Sequence, residues 1–120
     1  MRSFQEAFEA YGADYQATMS RFLGNEDMYL RFLNMLFQDD NLQKLGQALE
    51  CGDLTAAFEA AHTLKGVTGN LGLTPLYQAV CDIVEPLRDR KVGGYAQPYQ
   101  HIQEEFQQAG AFLEQLKGGR

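Results

Sequence analysis

Residues 61–72 read Ala61-His62-Thr63-Leu64-Lys65-Gly66-Val67-Thr68-Gly69-Asn70-Leu71-Gly72. At about 100° per residue, a helix through this stretch gathers Leu54, Ala57, Ala61, Leu64, Thr68 and Leu71 into one apolar stripe. His62 then falls well off the centre of the stripe, toward solvent. Gly66 and Gly69 follow it by one and two turns on the same face, with Lys65 alongside, so bare backbone and one cation are predicted next to the imidazole. Two glycines inside a helix cost roughly 1 kcal/mol each relative to alanine. Access to His62 is the reason the sequence suggests for them.

Working outward, Asp53 is a natural N-cap for this helix and Gly72 a natural turn after it. Thr74-Pro75 reads as an N-cap with proline in the first helical position, opening a helix to about Arg90 through Leu76, Val80, Ile83, Val84 and Leu87. Pro86 lies inside that helix and cannot donate to the Asp82 carbonyl, which predicts a kink or a helix that stops and restarts. After the loop Lys91-Val92-Gly93-Gly94, the seam Tyr95, Tyr99, Ile102, Phe106, Ala109, Leu113 and Leu116 marks a last helix, with Gly118-Gly119-Arg120 fraying beyond it. Upstream, Phe4, Ala7, Phe8 and Tyr11 mark a short helix closed by Gly12. Asp14 caps a second short helix, which carries Tyr15, Met19, Phe22 and Leu23. One long helix is predicted from Glu26 to about Glu50, closed by Gly52 and apolar nearly all round in its first half (Met28, Tyr29, Leu30, Phe32, Leu33, Met35, Leu36, Phe37).

No segment alternates with period two, so the class is all-α. The lengths and short loops predict a single domain over residues 1–120. It would be an antiparallel up-down four-helix bundle over 26–117, with 1–24 forming short capping helices over the long apolar one. With 120 residues and 45% hydrophobic content, the chain can bury one core but not two. Sixteen acidic residues against ten basic give a net charge of -6, with no Lys/Arg cluster along the chain. That points to a protein partner rather than nucleic acid or an anionic membrane. No apolar run is long enough to span a bilayer, and the N-terminus lacks a signal-peptide segment, so a cytoplasmic protein is expected. Cys51 and Cys81 stand in unrelated contexts and are expected to be reduced thiols.

His62-Thr63-Leu64-Lys65-Gly66, followed by Gly69-Asn70-Leu71-Gly72-Leu73, resembles the signature of histidine-containing phosphotransfer (HPt) domains of two-component phosphorelays. Gly12-Ala13-Asp14, Arg21-Phe22-Leu23-Gly24-Asn25, Tyr29, Phe32 and Gly52-Asp53-Leu54 look like the usual run-up in bacterial members, so the resemblance covers about residues 11–90. It implies that His62 is the phosphoacceptor, taking a phosphoryl group on Nε2 from a receiver-domain aspartate and passing it to another response-regulator receiver. It implies that Lys65 pairs with the phosphoryl oxygens and that Gly66 and Gly69 give steric access. An imidazole with the ordinary pKa of about 6.5 is a competent nucleophile near neutral pH without a neighbouring base. Phosphoryl transfer rests mainly on positioning and charge stabilisation, so the partner receiver can bring the aspartate and Mg²⁺ while this chain needs no cofactor. The implied partners are receiver domains and a sensor (hybrid) histidine kinase, and the implied state is a monomer. With no ATP-binding or receiver domain in the sequence, a free-standing phosphocarrier with a phosphohistidine intermediate is expected, not a kinase or hydrolase.

Where family members often carry a glutamine on the following helix, counting places Val84. That hydrogen bond is then either missing or supplied by Glu85 or Gln78. Phe32, Leu36 and Phe58 are candidates for the rim on which a receiver docks. His101 lacks glycine or lysine companions and reads as an ordinary surface residue.

Two other readings stay open. One is a non-catalytic helical module of the same shape that binds receivers or kinases without transfer. The other is a metal-binding bundle, because Glu59-x-x-His62 has di-iron spacing; against it, no second such pair exists, Pro98 standing three before His101.

Overall fold

Asp14, Asn25 and Asp53 each accept, at 3.0 Å, a hydrogen bond from the backbone N–H three residues ahead, and each opens a helix. Ser3 does the same with a reciprocal bond from its own N–H to Glu6, a capping box. The computed structural model describes residues 3–118. Among them the chain is all helical, in the order α1 (Phe4–Tyr11), α2 (Tyr15–Arg21), α3 (Glu26–Gln38), α4 (Asn41–Cys51), α5 (Leu54–Asn70), α6 (Thr74–Arg88) and α7 (Ala96–Gly118). Of the three residues expected to fray, Gly118 is the last residue of α7, and Gly119 and Arg120 lie outside the described residues.

The long helix predicted from Glu26 to Glu50 is two helices. At Asp39 the backbone turns extended, with φ -78° and ψ 149°. The Asp39 carboxylate accepts from both the N–H and the side-chain amide of Asn41, each at 2.6 Å. This turn competes with helical bonding. Two aspartates also disfavour the negative end of one helix and favour the positive start of the next, so Asp39-Asp40 separates α3 from α4. In α3 only Tyr29, Leu33 and Leu36 are buried, while Phe32 and Met35 are exposed. The all-round apolar pattern is therefore covered mainly on one side.

α5 lies between α4 and α6; α6 packs on α7, and α7 also meets α1 and α3. Small residues on the inner side of α5, Ala57, Ala60, Ala61 and Thr68, let its neighbours approach, and with Leu64 they are buried. The Thr68 hydroxyl is satisfied by the Leu64 carbonyl at 2.8 Å.

An aromatic cluster ties the N-terminal helices in. Phe8 meets Tyr29 at 5.2 Å and Phe112 at 5.0 Å, and Tyr11 stacks on Phe112 at 4.5 Å. The capping helices therefore sit against α7 as well as α3. Phe112, outside the predicted seam, is buried because α1 covers it. The fully buried Tyr29 donates to the Leu71 carbonyl at 2.7 Å, fastening α3 to the end of α5.

Two local expectations in α6 are corrected. Thr74 is the first helical residue rather than the cap, and its backbone N–H bonds to Gly72. Of the two outcomes expected at Pro86, the stop and restart does not occur: the helix continues through Pro86 to Arg88, with Leu87, Ile83 and Val84 holding that turn in the core.

Candidate functional site

His62 is exposed on α5, opposite the alanine-lined face that anchors the helix. Among the described residues its side chain makes no hydrogen bond, so both ring nitrogens are open to an incoming group. It borders an open depression of about 470 Å³ lined also by Arg21, Lys65, Gly66, Gly69, Asn70 and Tyr77. Lys65 is half-buried. Arg21 comes from the end of α2 and is tied there by a 3.2 Å bond from its guanidinium to the Asn70 carbonyl. The expected trio of His62, Lys65 and Gly66 thus shares one surface, and a second cation joins it.

The two glycines differ. A Cβ at Gly66 would meet nothing within 4 Å, so nothing inside this molecule requires a glycine there. A Cβ at Gly69 would stand 3.0 and 3.2 Å from ring carbons of Tyr77. Gly69 lines the depression and also makes room for a side chain of α6, so packing inside this molecule is by itself a reason for a glycine there. The phenol of Tyr77 is pushed above its ordinary pKa, chiefly by a side-chain hydrogen bond with Cys81.

One turn before His62, the half-buried Phe58 stacks on the imidazole, with centroids 5.5 Å apart and 22° between the planes. The guanidinium carbons of Arg88 and Arg90 each lie 5.2 Å from the centroid of Phe58. Cation–π contacts at such exposed sites contribute roughly 0.5–1 kcal/mol each. Arg88 is paired with Glu85 at 3.2 Å, which places Glu85 on an arginine rather than on the histidine. Val84 is fully buried and cannot supply the missing glutamine's hydrogen bond, and Gln78 is exposed. His101 is exposed on α7 and takes no part in the depression.

Of the proposed docking rim, Phe32 is 43% exposed, but Leu36 is buried and is withdrawn. Arg21, Tyr77, Arg88 and Arg90 were not legible as site residues. Folding brings Arg21 and Lys65 to the His62 depression and Arg88 and Arg90 to the Phe58 ring beside it. The run Arg88-Asp89-Arg90-Lys91 is the local hint.

Cys51 and Cys81 are free thiols. Among the described residues no three His, Cys, Asp or Glu side chains gather to hold a metal ion, and no helix is long and apolar enough to cross a membrane. Glu59 and His62 are both exposed.

A family model described as Hpt domain matches residues 27–118, which takes in nearly all of α3 and the whole of α4 to α7 while leaving α1 and α2 outside. No curated protein and no solved structure matches the chain. The matched span is most of the sequence and contains the exposed histidine with its lysine and glycine. The chain belongs to the Hpt domain family, the helical phosphotransfer modules of two-component phosphorelays, which interact there with receiver domains and kinases.

Proposed function

We propose that His62 carries a phosphoryl group between receiver domains. A neutral imidazole nitrogen, Nε2, attacks the phosphorus of a receiver's aspartyl phosphate in line. The N–P bond forms as the P–O bond breaks, the aspartate leaves as a carboxylate, and the ring proton on the other nitrogen passes to solvent. The reverse sequence delivers the group to the aspartate of a second receiver. Lys65, with Arg21 in the same depression, supplies positive charge for the phosphoryl oxygens, and Gly66 leaves the approach open. The receiver brings Mg²⁺, and this chain needs no cofactor of its own.

The observation that carries this reading is the exposed His62 ring, free of hydrogen bonds among the described residues, beside a cation and a glycine that no internal packing explains. Sequential packing of α4, α5, α6 and α7 through short connections supports an antiparallel up-down bundle, with α3 and α4 together serving as its first member. Free thiols fit a cytoplasmic carrier acting as a monomer with receivers and a hybrid kinase.

Incubation with a phosphorylated receiver tests the reading. An acid-labile, base-stable label is expected on this chain and absent from a His62→Gln variant of unchanged helical content. Label persisting in that variant would overturn the site. A wild-type chain that binds receivers and takes no label from any of them would favour the non-catalytic module.

A further inference from the structure

The stack of Phe58 on His62 is not an isolated surface contact. Residues four apart on a helix can touch, but an exposed ring pair is free to change rotamer unless something holds it. Here Phe58 is held from α6 by the two guanidiniums at 5.2 Å. Both arginines are themselves fixed. The Arg88 Nε donates to the Glu85 carboxylate at 3.2 Å, and an Arg90 Nη donates to the Leu87 carbonyl at 2.8 Å, closing the end of α6.

Arg90 also has φ 55°, in the left-handed region that a long side chain rarely adopts and where glycine is the usual residue. The chain keeps an arginine in that strained position, and its head group reaches both the helix end and the Phe58 ring. Strain retained next to a reactive side chain is a pointer to function.

We propose that Phe58 is a positioning residue for His62, clamped by Arg88 and Arg90, so that the imidazole is held in one orientation before a receiver arrives. In-line displacement needs the attacking nitrogen aligned with the phosphorus and the leaving oxygen, and orientation fixed in advance lowers the barrier at the moment of transfer. The clamp touches neither phosphorus nor leaving group; it acts through the histidine. The inference rests on the phosphotransfer reading above.

Three variants of the full chain test it: Phe58→Leu, Phe58→Tyr, and the double replacement Arg88→Gln with Arg90→Gly, in which glycine takes the left-handed backbone without strain. Two quantities are read: the His62 ring-proton chemical shifts of the free protein, and the transfer rate from a phosphorylated receiver over a range of receiver concentrations. In Phe58→Leu the ring protons are expected to lose the shielding of the stacked phenyl. The saturating transfer rate should fall about tenfold, with the half-saturating receiver concentration little changed.

Phe58→Tyr restores both quantities, and the double arginine variant moves both in the same direction as Phe58→Leu by a smaller amount. Unmoved His62 resonances in Phe58→Leu would overturn the clamp. So would a loss of transfer that appears only as a higher half-saturating concentration, since that marks Phe58 as a docking contact. A wild-type chain that accepts no phosphoryl group overturns the phosphotransfer reading instead, and the chemical shifts still decide whether the ring is held.

Discussion

Gly66 and Gly69 stand three residues apart on one helix and answer to different neighbours. Alanine at Gly66 enters open space, so the helix gains propensity without a clash. Gly66→Ala is expected to stabilise the fold by up to about 1 kcal/mol, a rise in melting temperature of roughly 3–6 °C. Transfer from a phosphorylated receiver should slow at the same time, and thermal melts beside transfer assays check the opposed signs. Gly69→Ala should lose the stability gain, because its methyl meets the Tyr77 ring at 3.0 Å and the ring must give way. The sequence presents the two glycines as equivalent, and only the packing of α6 separates them. His62 and Lys65 were readable because helical spacing alone sets their face. Arg21, Arg88 and Arg90 were not, because elements far apart in the chain bring them to that face.

Helix starts were legible at Asp14 and Asp53, where a side-chain oxygen caps a backbone N–H; the caps at Ser3 and Asn25 went unread. The break at Asp39-Asp40 was not, because apolar residues continue on both sides of it and hide the change of helix. A contact between elements gives the sharper test. The Tyr29 hydroxyl on the Leu71 carbonyl joins α3 to α5 inside the core. Tyr29→Phe leaves that carbonyl unpaired and should cost about 1–3 kcal/mol, read as a lower denaturant midpoint with unchanged slope. Tyr11 is the contrast: its buried hydroxyl has at most a weak partner in the backbone of Leu76, while its ring stacks on Phe112. Tyr11→Phe keeps the stack, removes a poorly satisfied buried hydroxyl, and should be close to neutral in the same titration.

The molecule as a whole carries a predicted response to alkali. Burial pushes the phenols of Tyr29 and Tyr11 well above the ordinary tyrosine range, aided at Tyr29 by Tyr11 and at Tyr11 by Glu105. Both are held neutral in the fold, whereas in the unfolded chain they ionise near pH 10. Their share of stability is therefore complete below about pH 10 and is lost as pH rises toward their folded values. Denaturant midpoints should begin to fall there, with the fall shallower in Tyr29→Phe. Both tyrosines sit where α1 and α3 close on α7, so alkali acts on the seam between the N-terminal helices and the family-matched span.

Folding also sorts the charges. A chain of net charge -6 brings Arg21 and Lys65 to the histidine's depression and Arg88 and Arg90 to the ring beside it. Positive charge gathered at one place on an acidic body makes the molecule an electric dipole. The field of a negatively charged partner surface would exert a torque on it during approach, turning His62 forward before any atoms touch. Such guidance reaches about one Debye length, some 10 Å at 0.1 M ionic strength, and weakens as salt rises. Dissolved ions would then set how often an encounter begins in a productive orientation, and the clamp proposed on the imidazole would act once the two surfaces have met.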